Sequence, residues 1–67
     1  MAVVKVIELI GISDKNWEEA VNNAVAEAHK TIRNITGVSV KGWTAEVKDG
    51  KIVSHKANVK IAFLVER

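Results

Sequence analysis

The dipeptide Asp49-Gly50 is the feature that most constrains the fold, because it lies between two long segments of alternating polarity. A two-residue hairpin turn needs positive φ at both positions, and Asp followed by Gly is among the pairs that best tolerate it. Beyond the turn, apolar residues recur at every second position, at Ala57, Val59, Ile61, Phe63 and Val65. This alternation is typical of a strand with one buried face. The second half of the chain is therefore predicted to be a long β-hairpin.

The strand before the turn alternates too, but the parity of its apolar residues changes partway along. Val38 and Val40 share one parity, and the opposite parity holds Trp43, Ala45 and Val47. Gly42 lies at the change. A β-bulge adds one residue to a strand and so shifts which side chains face the core. We predict a bulge at Gly42 that keeps both apolar sets on one side of the sheet.

The first half of the chain predicts one strand and one helix. Residues 2–10 are rich in β-branched types and read as a strand that ends at Gly11. A helix is predicted over residues 14–33, with Ser13 as its N-cap and Asn34 closing it. Its apolar stripe has the three- and four-residue spacing of a helical face and consists of Trp17, Ala20, Val21, Ala24, Ala28 and Ile32.

The order strand, helix, strand, strand predicts an α+β fold in one domain covering residues 1–67. The last strand should lie between the first two, which gives a three-stranded antiparallel sheet curled around one helix. One helix covers only part of such long strands, so their remaining edges and apolar ends need partners from other chains.

The composition favours self-association and argues against several other classes. A chain of 67 residues buries only about 60% of its unfolded surface. It has no cysteine, and its two histidines, His29 and His55, are too scattered for a zinc site. Lys5 and Glu8 interrupt the apolar opening, so we expect neither a signal peptide nor a membrane span, and a cytoplasmic location is the default.

The segment Val4–Ser13 leads into a helix with alanines at 20, 24 and 28, and Thr31, Asn34 and Ile35 follow at the helix exit. In these features the chain resembles the dodecin family. The closing pattern Val59–Phe63 matches as well, so the resemblance covers about residues 3–65. It implies a hollow spherical homo-dodecamer that binds, stores or buffers a small ligand and is not an enzyme. The ligand it implies first is a flavin: riboflavin, flavin mononucleotide or lumichrome.

Two residues of the flavin site implied by this resemblance are replaced here. In flavin-binding dodecins a tryptophan near the start of the second strand stacks on the flavin ring, and Gly37 occupies that position. A glutamine of the last strand usually hydrogen-bonds the flavin, and Lys56 replaces it. A glycine supplies no stacking, which contributes about 1 kcal/mol per aromatic pair. These replacements argue against the family's usual mode of flavin binding.

A second dodecin branch lacks that tryptophan and includes calcium dodecins. The segment Ser13–Trp17, with a tryptophan at the start of the helix, is similar to that branch. Glu46 matches a carboxylate near a metal ion in some flavin-binding dodecins. It is either a solvated strand glutamate that pairs with a lysine, as we favour, or, in copies from several subunits, a ligand for calcium or magnesium. Calcium needs six to eight oxygens, so one Glu46 alone is insufficient.

The remaining candidates are an aromatic residue and a set of cations. Trp43 is either a displaced stacking platform or, as we favour, a packing residue beneath the helix or at a subunit contact. Trp17 is predicted to anchor the first helical turn. Lys41 and Lys56 belong to a basic hairpin that suits either solvent or an anionic small ligand. Nucleic acid is disfavoured, because only Trp43 is interleaved with these lysines. No nucleophile, base and acid set or phosphate-cradling loop indicates an enzyme.

Overall fold

The computed structural model describes residues 3–65 and has the order β1 (Val3–Ser13), α1 (Trp17–His29), β2 (Ile35–Lys48) and β3 (Lys51–Val65). The three strands form one sheet in the order β1-β3-β2, and both pairings are antiparallel. The predicted β-α-β-β topology, with the last strand in the centre, is confirmed.

The hairpin and its bulge are confirmed as well. Asp49 and Gly50 have φ values of 53° and 76°, as a two-residue turn requires. The pairing of β2 with β3 shifts register between Val40 and Gly42. Two further shifts, between residues 35 and 37 and between residues 46 and 47, were not predicted.

The prediction that β1 ends at Gly11 is wrong. Gly11 pairs with Ala57 inside the ladder, and β1 continues to Ser13. The glycine is required by packing, because a Cβ at this position would overlap the carbonyl oxygen of Ala20 and lie 2.9 Å from its carbonyl carbon. Gly11 therefore lets the helix backbone approach the sheet.

The predicted helix was too long at both ends. It begins at Trp17, and its N-cap is Asn16, whose Oδ1 accepts a 2.7 Å hydrogen bond from the amide of Glu19. Ser13 instead closes the turn after β1, because its buried Oγ accepts a hydrogen bond from the amide of Lys15 and donates one to Glu19 Oε1.

The C-terminal end of the helix differs from the prediction in the same way. The helix ends at His29, and the amides of Thr31 and Ile32 both bond back to the carbonyl of Ala28. Asn34, with φ 63°, turns the chain into β2 instead of closing the helix. Its carbonyl accepts a hydrogen bond from the amide of Leu64.

The core is a thin layer between α1 and one face of the sheet. Its buried residues are Ala20, Ala24 and Ala28 of the helix and Ala57, Val59 and Ile61 of β3. Directly paired residues of adjacent strands share a face. Leu9 and Val40, which pair with Val59, therefore lie on the helix side.

The opposite, helix-free face of the sheet carries the alternate residues. It exposes four large aliphatic side chains of β1: Val4, Val6, Ile10 and Ile12. The chain as a whole is elongated, with extents of 52 × 20 × 13 Å. It exposes 5009 Å², whereas a globular monomer of 7.3 kDa exposes about 4,200 Å². A single copy therefore leaves an unusual amount of surface uncovered.

Candidate ligand-binding surfaces

The matched flavin position, Gly37, lies on the helix-free face. It pairs with Ala62, which pairs in turn with Val6 of β1. The three residues form the floor of an open depression whose lining is Val6, Gly37, Val38, Ser39, Lys60 and Ala62. A Cβ added at Gly37 would have no atom within 4 Å. The surface therefore has room for a ring above the glycine.

Polar groups lie beside this floor in one cross-strand row. Lys60 pairs with Glu8 on one side and with Ser39 on the other. Lys60 is half-buried, and an ammonium group offers three hydrogen-bond donors on a flexible stem. The depression thus combines an apolar floor with a cation and a hydroxyl, an arrangement that suits a flat molecule with a polar or anionic edge.

Lys56, which the family resemblance matches to a flavin-binding glutamine, is on the same face but far from Gly37. It pairs with Ile12 and Thr44, six positions along β3 from Ala62. At about 3.3 Å per strand residue this separation is roughly 20 Å. The two matched positions are therefore not brought together within one chain.

Trp43 lies on the other face, because it pairs with Ala57 of the core. The indole rings of Trp43 and Trp17 pack edge to face, with their centroids 6.4 Å apart. The ring of Trp17 also packs against that of His55, with centroids 4.7 Å apart. The Nε1 of Trp17 donates a 2.9 Å hydrogen bond to the carbonyl oxygen of Thr44. The predicted anchoring role of Trp17 is confirmed.

These contacts also determine what Trp43 can do. It keeps 54% of its surface exposed, although Trp17 holds one side of it. Since Trp43 and Gly37 are on opposite faces of the sheet, Trp43 cannot replace the missing stacking residue in the Gly37 depression of the same chain. It remains a candidate for contacts at the other face.

Lys41 and Glu46 are both exposed residues of β2. Lys41 is the extra residue of the bulge, between the paired Val40 and Gly42, and Glu46 pairs with Ser54. Among residues 3–65, no group of three or more His, Cys, Asp or Glu residues is placed to hold a metal ion. A cation at Glu46 would therefore need oxygen ligands besides this one carboxylate.

The sequence analysis missed Val6 and Ser39 as residues of the depression, and it identified Lys60 only as one of the lysines of the basic hairpin. The signal was present, because pairing β1 and β2 with the alternating β3 puts these residues in the rows around Gly37 once the bulges are placed. The contact of His55 with Trp17 was also missed, since the two residues are 38 positions apart in sequence. In the described part of the chain, no helix is long and apolar enough to cross a membrane.

Comparison with known proteins gives one consistent result. The dodecin family model matches residues 3–66. A dodecin of Thermus thermophilus is 28% identical over 64 residues, which are 96% of this chain and 93% of that protein. The structure of a dodecin from Streptomyces coelicolor has a TM-score of 0.95 at 27% identity and covers 98% of this chain and 94% of its own.

A calcium dodecin of Mycobacterium tuberculosis, described as a calcium-chelating antigen with a novel calcium-binding site, is also similar. It is 31% identical, has a TM-score of 0.83, and the alignment covers 96% of this chain and 91% of that one. The sequence is thus slightly more similar to the calcium dodecin, whereas the backbone is more similar to the Streptomyces protein.

Proposed function

Because the chain belongs to the dodecin family, we propose that it is a non-enzymatic subunit of a hollow dodecameric shell that binds a small ligand on the helix-free face of its sheet. The observation that carries this proposal is the open depression over Gly37, with its apolar floor and the flanking Lys60 and Ser39. The 5009 Å² of exposed surface supports assembly, because it exceeds that of a typical monomer of this mass.

The ligand class we propose is a flat, partly apolar molecule with a polar or anionic edge, and flavins are its first members. The apolar floor provides contact area, and Lys60 provides a charge-assisted hydrogen bond. Since the stacking tryptophan is replaced by Gly37 and the glutamine by Lys56, flavin binding by this chain should be weak. In this role the protein stores or buffers its ligand.

Native mass spectrometry of the untreated protein tests the proposal directly. We expect a complex of twelve chains that releases a small organic molecule on denaturation. A complex of twelve chains with no bound molecule, and no binding of added riboflavin or flavin mononucleotide, would contradict the ligand-binding part. A monomer would contradict the shell.

Restoring the aromatic residue should restore flavin affinity. We expect Gly37→Trp to tighten riboflavin binding by up to about tenfold, because one aromatic pair contributes about 0.5–1.5 kcal/mol and 1.4 kcal/mol is tenfold in affinity. Titration of riboflavin fluorescence, which stacking on tryptophan quenches, measures the change.

Gly42→Trp is the matched control for this variant. Gly42 is on the same strand and pairs with Asn58 on the same helix-free face, and a Cβ there also has no atom within 4 Å. It should leave riboflavin affinity unchanged. Equal affinity gains in both variants would show that any added tryptophan binds flavin, and the Gly37 depression would lose its special role.

The second candidate function is cation binding, and the 31% identity to the calcium dodecin favours it. We expect Glu46, which is exposed on β2, to supply one carboxylate per subunit to an ion shared between chains. Calcium added to chelator-treated protein should then raise its thermal midpoint, because a ligand that binds only the native state stabilises it.

Glu46→Gln should abolish the response of the midpoint to calcium. Glu18→Gln, at another exposed carboxylate in the first turn of α1, is the control and should retain it. If wild type shows no calcium response at all, the cation alternative is wrong, and the flavin titrations are unaffected by that result.

A further inference from the structure

A second glycine lies on the helix-free face, at some distance from Gly37. Gly42 pairs with Asn58 of β3, which pairs in turn with Ile10 of β1. A Cβ added at Gly42 would have no atom within 4 Å, so the surface is open above it. Because Asn58 is four positions from Ala62 on β3, the rows of the two glycines are roughly 13 Å apart. The face therefore has a second open position besides the Gly37 depression.

Lysines surround this second position. Lys60 and Lys56 are the neighbours of Asn58 on the same face of β3, one row to each side, and both are half-buried. On β2 the bulge places Lys41 next to Gly42, so that these two residues together oppose Asn58. A lysine carries three donors on a flexible four-carbon stem, which lets its ammonium group reach over a neighbouring row. Positive charge can therefore converge on the space above Gly42.

The lysines around Gly42 have no carboxylate within 4.0 Å in the described part of the chain. The ion pairs found among residues 3–65 join other lysines, at the two ends of α1. Two carboxylates share the helix-free face but lie farther from Gly42: Glu8 is two strands away on β1, and Glu46 is four residues along β2. An anion above Gly42 would thus meet positive charge that no carboxylate pairs with.

Neutral donors complete the surroundings of Gly42. Asn58 is half-buried beside it, and the hydroxyls of Ser39 and Thr44 belong to the residues paired with Lys60 and Lys56. Within residues 3–65, the side chains of Asn58, Ser39 and Thr44 make no hydrogen bond. A phosphate group offers three strong acceptor oxygens, whereas a carboxylate has two and would leave more of these donors unused. The donor set therefore favours phosphate.

We propose that the space above Gly42 binds a phosphate group, held by Lys56, Lys60 and the amide of Asn58. The phosphate is either inorganic phosphate or the ester group of a ligand whose ring lies over Gly37, and in the second case the inference rests on the proposed function. Lys60 lies in the row between the two glycines, so a ligand of the ester type would extend along β3 past this lysine. Such a ligand binds more tightly than its dephosphorylated form.

Titrations with flavin mononucleotide and with riboflavin test the ester form, because the two molecules differ only by the phosphate. We expect the wild-type protein to bind flavin mononucleotide about tenfold more tightly or better, as hydrogen bonds to a charged group provide. Lys56→Met keeps the length of the side chain but removes its charge, and it should lower the ratio of the two affinities about threefold or more. Lys30→Met, at an exposed lysine after α1, is the control and should keep the wild-type ratio.

A second pair of variants tests the position itself. Gly42→Trp fills the space above the glycine and should bring the ratio of the two affinities to about one. Gly37→Trp should keep the wild-type ratio, because it adds the same stacking contact to both flavins. This pair keeps the test decisive if removal of Lys56 alters the fold.

Inorganic phosphate tests the free form. Millimolar potassium phosphate should raise the thermal midpoint of the wild-type protein more than potassium chloride of the same ionic strength does. Phosphate also stabilises folded proteins without a site, because it is excluded from their surfaces. The measure is therefore the part of the rise that is lost in Lys56→Met and kept in Lys30→Met.

The outcomes separate the two sources and the two proposals. A flavin mononucleotide preference that depends on Lys56 assigns the site to an ester, and a response to inorganic phosphate alone that depends on Lys56 assigns it to the free ion. Equal affinities for the two flavins, with no Lys56-dependent response to phosphate, would overturn the site, and so would equal losses in Lys30→Met. Riboflavin binding without a phosphate preference would leave the proposed function standing, whereas a phosphate response without riboflavin binding would contradict only flavin binding.

Discussion

Replacing Gly11 by alanine should lower the free energy of unfolding by about 3 kcal/mol or more. If this loss exceeds the total stability of the protein, the variant should not fold. The added Cβ would overlap the carbonyl oxygen of Ala20 and lie 3.0 Å from the Cβ of Ala24. The nearest obstacle is backbone, which cannot rotate away as a side chain would. The helix would have to move from the sheet and lose the contacts that bury its alanines.

Urea denaturation followed by circular dichroism measures this effect, at one fixed chain concentration because assembly stabilises the native state. Gly42→Ala is the control, since its Cβ would be in open space and its φ is not positive. It should change the free energy of unfolding by less than about 1 kcal/mol, and in the stabilising direction. Equal midpoints for the two variants would show that the helix does not approach the sheet as closely as described.

Truncating Ile61 should have the next largest effect. Ile61 and Val59 are the largest fully buried side chains, and Ile61 pairs with Ile7 and Val38 in the central strand. Ile61→Ala should lower the free energy of unfolding by about 2–5 kcal/mol, because it removes buried methyl groups and leaves a cavity that a rigid sheet fills poorly. Chemical denaturation at fixed chain concentration is again the measurement.

Ile61→Val provides the graded comparison at the same position. It removes a single methyl group and should cost about 0.5–1.5 kcal/mol. The ratio of the two losses separates a cavity effect from a general disturbance of β3. If alanine were no worse than valine, Ile61 would not belong to a tightly packed core.

The fold could be predicted well from the sequence wherever one pattern had one physical cause. The alternation of β3 and the Asp49-Gly50 turn determined the hairpin, and the parity change in β2 located the bulge next to Gly42, whose neighbour Lys41 is the extra residue. The helix limits could not be predicted in this way. Ser13 and Asn16 are both good caps, and only the pairing of β1 with β3 shows that β1 continues to Ser13.

The candidate site was less accessible to such reasoning. The resemblance identified Gly37 and Lys56, but it did not show that they lie on one face at a distance, because their separation depends on the register of β2 with β3. The location of Trp43 on the opposite face from Gly37 depends on the bulge between them. Whether a second chain supplies the missing groups is a property of the assembly, which one sequence does not encode locally.

The alternation of β2 and β3 has a consequence for how such a protein evolves. The side chains that hold the helix point to one side of the sheet, and those around Gly37 point to the other. No side chain of the depression belongs to the buried core, so mutations in the two sets should combine additively. Substitutions around Gly37 can then change which ligand binds without changing the free energy of unfolding. A glycine at position 37 is therefore compatible with the same fold that a larger side chain at this position would leave intact.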